Sequence, residues 1–414
     1  MEQYKPLWQY IPLAQYKSPP APAGEVVRNG IVSFWQRIHP ISGFTAMTRR
    51  ALRSIPFYLL DRAAPIPDSA CMVTALQAAL QEWSNGREPE PTAQVVIGAP
   101  GSGVERAVIE LARQQGWQLM GPPEPEQILA GGTAWLDKVT ANGLVPLVIP
   151  RLGKCYLRHQ EGLVLMGRLL DWLQTTKRRC LIGCDSWAWA YLVKSLQIDV
   201  MLPNPLVLAP FDGARLQFWL PALSQQIHKG RFIFRETENG RPLFPMADIY
   251  EANFNGTRTQ LERYGDWVSV SYLLRQLAAH GRGLPGVVWE LWRRCLQIGI
   301  DVNLNKLVQE QAASDKRYTI WVRPWSHLKL PTVPVEAGTD ESLVLHAILL
   351  HGGASAQLIA SLLPLSDNEV RRILQACWEW GLVEKNHETW YVTLLGYPNV
   401  RQFLAMEGYL VDNF

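Results

Sequence analysis

The clearest candidate for chemistry in this chain is the stretch from Val95 to Ala112, VVIGAPGSGVERAVIELA. Gly98, Gly101, Ser102 and Gly103 lie between an apolar run and a segment of helical periodicity. Glycines in that position let consecutive backbone N–H groups converge on an anion, and a helix N-terminus behind them adds partial positive charge. The two side chains that would complete a grip on polyphosphate are of the wrong type. Where an ammonium is needed stands Val104, and where a magnesium-binding hydroxyl is needed stands Glu105. A carboxylate there repels a polyphosphate at short range. Gly98, Gly101, Ser102 and Gly103 are therefore the candidate cofactor-binding residues, holding either no cofactor or a weakly bound ATP or ADP.

Nothing else in the sequence supplies the missing charges. The apolar run LVPLVIP (144–150) ends at Pro150 and Arg151, and the next carboxylate is Glu161. The run CLIGCDSW places Asp185 and Ser186 at the end of another strand-like segment. There is no GxSxG, HExxH or CxxC, and the eight histidines are scattered. His346 and His351 are five apart, a spacing that does not share a helix face. Cys180 and Cys184 lie in an apolar run with no second pair at zinc spacing, so buried thiols are the expectation. No catalytic residue and no metal ligand is assigned.

The elements that must position this loop alternate regularly. Residues 94–99, 117–121, 144–150, 178–186 and 205–210 read as short strands rich in Val, Ile and Leu. Between them, 104–116, 133–143, 161–177 and 187–196 have helical patterns, and DSACMVTALQAALQEWSNG forms a helix before the first of these strands. Such alternation predicts a parallel sheet with helices on both faces. After residue 211 the pattern is mostly helical, broken by the polar insertion ETENGRPLFPMADIYEANFNGT and by the strand-like RYTIWVRPW. LPTVPVEAG is a proline-rich linker. The segment 339–414 then reads as three helices and a hairpin, with Ser366 and Glu369 forming a capping box.

In this order of parts the chain resembles the AAA+ and STAND type of P-loop ATPase. The resemblance covers roughly 68–414 and implies an α/β fold: a P-loop NTPase-like parallel sheet, a helical lid and a C-terminal winged helix-turn-helix domain. The domains expected are a basic aromatic arm (1–66), the α/β domain (67–215), a lid with an insertion (216–330) and the winged helix (339–414). Gly98, Gly101 and Gly103 match the family's glycine loop, but its lysine is Val104 and its hydroxyl is Glu105. The acidic pair expected where the strand LVPLVIP ends is replaced by Pro150 and Arg151. The family's polar sensor position falls at Asp185 and Ser186, and the arginine of its second sensor, expected in GRGLPG, is Gly286. Phosphoryl transfer depends on such charges, so the joint loss predicts a degenerate site without ATPase activity.

Charge is distributed unevenly. Residues 1–66 carry eight basic against three acidic side chains, a net of +5, whereas 340–414 carry four against nine, a net of −5. A −5 winged helix is penalised against a polyanion, so it is expected to dock protein. The basic arm, with Trp8, Tyr10, Tyr16, Phe34, Trp35 and Phe44, is expected to lie across its own fold or a neighbouring subunit, with nucleic acid as the alternative. There is no signal-peptide pattern and no apolar run long enough for a transmembrane segment. The sequence thus predicts a cytoplasmic, non-hydrolysing adaptor or regulatory protein with a protein partner, homo-oligomerisation being one form of it. The alternative is a nucleotide-dependent ATPase of the same type acting on DNA or in transcriptional regulation.

Overall fold

The computed structural model describes residues 6–22, 46–85, 92–141, 143, 145–227, 232–244, 270–302 and 318–414. The basic aromatic stretch with Arg28, Phe34, Trp35, Arg37 and Phe44, and the insertion from residue 245 onward, lie outside the described residues.

Alternating burial along short strands builds the central sheet. Val95 and Ile97 enter one apolar layer and Val96 the other. Val148 and Leu181 likewise face away from their neighbours Leu147, Ile149, Cys180 and Ile182. This period of two, apolar on both sides, is the signature of a strand buried on both faces. The spatial order is Tyr10–Pro12, Leu206–Leu208, Ala93–Gly98, Cys180–Asp185, Leu147–Ile149 and Gln118–Leu119. All pairings are parallel except the first, in which Tyr10 opposes Leu208. The helices Ala70–Ala79 and Val104–Gln115 cover one face, and Val164–Thr175 and Ser186–Leu196 cover the other.

That topology creates a crevice. Gly98 and Asp185 are register partners at the carboxyl ends of adjacent strands. The chain leaves the first toward one face and the second toward the other, and loops diverging in this way open a gap above the sheet. The glycine loop stands at that gap.

The proline-rich start is not free. Tyr10–Pro12 closes one sheet edge, and the Trp8 ring packs edge-on against Phe211 at 4.7 Å and Trp219 at 5.8 Å.

A second sheet differs from the mostly helical reading of 211–330. It orders Leu52–Ser54, Leu296–Gly299, Tyr318–Val322 and Phe232–Glu236. The helix Pro285–Cys295 stops where the helical pattern was expected to continue, and Leu296 and Ile298 are buried while Gln297 is less so, a strand's alternation. Leu52–Ser54 pairs with Ile298 and its neighbours. Pairing with a distant segment overrides the helical preference at Leu296–Gly299.

The last unit contains the helices Thr339–Leu350, Ala356–Leu362 and Asp367–Glu379, with a small sheet ordered Ala354–Ser355, Thr389–Val392 and Val383–Asn386. Ser366 and Glu369 form the expected capping box: the Ser366 Oγ accepts from the Glu369 N–H at 3.3 Å, and the Ser366 N–H donates to Glu369 Oε2 at 2.7 Å. A further helix, Tyr397–Met406, follows with Pro398 in its first turn. The helix Thr339–Leu350 is buried along nearly its whole second half and packs on Ser186–Leu196, which seats this unit on the central sheet.

Candidate functional site

Gly101 and Gly103 adopt φ of +77° and +75°, a left-handed conformation that favours glycine. The Ser102 N–H donates to the Ala99 carbonyl at 3.0 Å and tightens the turn, leaving Ser102 itself buried. Gly98 sits at the strand end, where a Cβ would lie 2.7 Å from that of Val104. All four predicted residues thus belong to one compact turn.

The surroundings of this turn are filled by protein. Val104 is 3% exposed and joins the apolar layer of Met72, Leu76 and Val108. A Cβ on Gly103 would meet Met72 at 2.8 Å, and one on Gly101 would meet Leu394 at 2.9 Å and Val287 at 3.3 Å. The helix Pro285–Cys295 begins against the loop. Its Gly286 N–H, a first-turn donor with no partner inside the helix, donates to the Gly101 carbonyl at 2.8 Å. A Cβ on Gly286 would come within 2.6 Å of that carbonyl oxygen, so the contact itself requires glycine where the resemblance expected arginine.

Beside the loop is a cluster of charges that sequence reasoning missed. Arg151 Nε lies 3.5 Å from Glu105 Oε2, and Arg151 Nη2 donates to the Gly352 carbonyl at 2.7 Å. Lys154 Nζ donates to the Gly353 carbonyl. Gly352 and Gly353, with φ of +55° and +98°, form the turn that enters the cluster. A Cβ on Gly352 would lie 2.7 Å from Arg151 Nη2 and 3.1 Å from Asp185 Oδ2, an oxygen that is buried with no hydrogen-bond partner. Burial pushes the Glu105 carboxyl up against the opposing effect of Arg151. Burial, then the adjacent Arg151, lowers the Lys154 ammonium to about 8. The sequence did hold a signal: Arg151 and Lys154 directly follow a buried parallel strand, and residues there face the crevice above the sheet.

The seam between the last unit and the sheet continues outward. The Tyr156 hydroxyl donates to the Leu350 carbonyl at 2.9 Å. Arg158 Nη1 donates to His346 Nδ1 at 3.2 Å, and His346 Nε2 donates to the Leu410 carbonyl at 3.2 Å, which assigns the neutral Nε2–H tautomer from its partners. Burial and then Arg158 lower His346 to about 4. Burial, then Lys154, His346 and Arg158, lower His351 to about 3, and both its ring nitrogens lack partners.

Asp412 is the hub. It is 1% exposed and accepts from the Ser186 hydroxyl, from the Tyr397 hydroxyl at 2.8 Å and from Arg401 Nε at 2.8 Å. Ser186, expected at a polar sensor position, is engaged here with Asp412.

Chemically, the crevice brings together two cations and two carboxylates, of which Arg151 and Lys154 donate to carbonyls of the chain's own Gly352–Gly353 turn. Val287, Gly286 and Leu394 abut the glycine loop at Gly101. Among the described residues no group of three or more His, Cys, Asp or Glu could hold a metal ion. No helix among them is long and apolar enough to cross a membrane.

No protein-family profile and no curated protein matches the chain. Solved structures align with it at low similarity. Cdc6p from Pyrobaculum aerophilum is 11% identical, over 83% of this chain and 95% of that one, with a TM-score of 0.31. The ORC1 protein of Aeropyrum pernix, solved in complex with DNA, is 13% identical over 88% and 99%, with a TM-score of 0.30. A Walker-type ATPase of Pyrococcus abyssi is 11% identical over 82% and 96%, with a TM-score of 0.25. At these values the likeness decides neither mechanism nor partner.

Proposed function

We propose that this chain is a non-hydrolysing, ATPase-like adaptor or regulatory protein of the cytoplasm that acts through protein contacts. The reading takes 1–66 as an arm, 67–215 as a P-loop NTPase-like domain with a degenerate loop, 216–330 as its lid and 339–414 as a winged helix. One observation carries it: the Gly101 carbonyl accepts from Gly286, and Leu394 abuts the same glycine, so the loop acts as a docking turn for two other parts of the chain. Phosphoryl transfer needs preorganised charge around the departing group, and here those charges are engaged internally. On this reading phosphate release by the purified full-length chain, with ATP and magnesium and with or without DNA, stays at the no-protein background. Titration calorimetry with ATP gives at most weak binding.

A second reading is favoured by Arg151 and Lys154, two cations at the strand ends. If the last unit lifted, they would be freed to face a polyphosphate, as a nucleotide-dependent ATPase acting on DNA requires. Turnover above background that is lost in Arg151→Ala would establish that reading. So would a DNA mobility shift that weakens steeply between two salt concentrations.

A further inference from the structure

A cleft of about 420 Å³ opens between the end of the helix Tyr272–His280 and the helix Tyr397–Met406, away from the residues of the glycine loop. Its polar lining is His280, Arg282, Asn399, Arg401 and Gln402, and no carboxylate is among its lining residues. The volume falls within the range of small-molecule sites, roughly 300–1,000 Å³.

The two arginines are held in place and only partly used. Arg282 has φ +54°, a conformation that non-glycine residues rarely adopt, and the Tyr16 hydroxyl pins it by donating to the Arg282 carbonyl at 3.0 Å. Its Nε donates to the Phe414 carbonyl and its Nη2 to the Ser18 hydroxyl at 3.3 Å. Arg401 donates through Nε and Nη2 to the side chain and the carbonyl of Asp412. Nη1 of each guanidinium has no partner among the described residues. Burial, then the nearby Arg401, disfavours the charge on Arg282, and Tyr397 and Asp412 offset this in part. His280 adds a buried Nε2 with no hydrogen-bond partner, its ring set 4.9 Å from that of Trp325. A donor set of this kind, with each guanidinium already fixed along one edge, suits an oxyanion.

We propose that this cleft binds a small phosphomonoester, its phosphate oxygens accepting from the free Nη1 groups of Arg282 and Arg401 and its organic part lying against Met406. The cleft is larger than a bare phosphate needs, which favours an ester over the inorganic ion. Because the two walls come from separate parts of the chain, the ligand also ties the last helix to Tyr272–His280.

The test uses the full chain, thermal-shift fluorimetry and titration calorimetry, with glycerol phosphate, inorganic phosphate, and sodium chloride at matched ionic strength. The informative variant is Gln402→Glu, which places a carboxylate on the rim at an exposed residue with no hydrogen-bond partner among the described residues. The proposal expects glycerol phosphate to raise Tm above the chloride control, and affinity to fall about tenfold or more in Gln402→Glu through like-charge repulsion. The unliganded variant should melt with the unsubstituted protein. Equal binding by both proteins, or no shift beyond the chloride control, overturns the site. Binding of inorganic phosphate with none of the ester overturns the assignment to an ester.

Discussion

Replacing Asp412 by alanine should release the last unit from the sheet. The carboxylate accepts three side-chain hydrogen bonds, and its side chain is 0% exposed while that of Arg401 is 16% exposed. Breaking a buried ion pair by removing one partner costs roughly 3–5 kcal/mol, because the other charge stays buried and unpaired. Arg401 retains some access to water and can turn outward, which places the expected loss near the lower end, about 3 kcal/mol. Each 1.4 kcal/mol is a factor of ten, so the docked-to-undocked ratio should fall by about 100-fold. Hydrogen–deuterium exchange reads this directly: amides of the helix Thr339–Leu350, buried against Ser186–Leu196, should exchange faster by about that factor under conditions where reclosing is faster than chemical exchange. Asp412→Asn keeps an acceptor for Ser186 or Tyr397 and should show a smaller effect. If Asp412→Ala changes these amides by less than about threefold, the hub does not hold the seam and the reasoning fails.

Acid should loosen the same seam. Held at about 4 and 3, His346 and His351 sit below the ordinary 6.5, so they favour the folded state above pH 6.5, and that contribution is lost as pH falls toward 4 and 3. At about pH 5 the two together account for about 4 kcal/mol, at roughly 1.4 kcal/mol per unit per group. Urea midpoints compared at pH 7 and pH 5 measure this, and a His346→Gln, His351→Gln protein with an unchanged pH dependence would exclude the pair as its source. Gly286→Arg, the residue type that the resemblance led one to expect there, should destabilise by about 3 kcal/mol or more, because its Cβ would press on the Gly101 carbonyl; a melting temperature equal to that of the starting protein would refute the contact. Arg151→Ala, which breaks a half-exposed ion pair and the bond to Gly352, should cost only about 1–2 kcal/mol in equilibrium unfolding and leave the background phosphate release unchanged.

Much of the central sheet was legible because its signal is local. Val95 to Ile97, Leu147 to Ile149 and Cys180 to Ile182 are short apolar runs ended by Gly, Pro or Asp, and helical periodicity lies between them. The second sheet was not legible, since Leu52–Ser54 and Leu296–Gly299 become strands only by pairing across some 240 residues of chain. The site was half legible. The glycine turn at 98–103 was readable from its spacing, but the charged side chains and the second glycine turn packed beside it were not. Arg151, Lys154 and the Gly352–Gly353 turn lie about 200 residues apart, and no periodicity joins them. Gly286 illustrates the difference: in the sequence it is a missing arginine, whereas in the fold it is the only residue type that lets a helix start against the loop.

The strand Tyr10–Pro12 sets a timetable for biosynthesis. Its partner, Leu206–Leu208, is translated some 196 residues later, a delay of roughly 10–40 s at ordinary elongation rates. Tyr16 waits longer still, for Arg282 and for the ring of Phe414 at 4.6 Å. Throughout that interval Trp8 lacks the rings of Phe211 and Trp219, and Tyr10 lacks its strand partner Leu208. Docking of Tyr16 on Phe414 would then come after burial of Trp8, although the Tyr16 codon is among the earliest read.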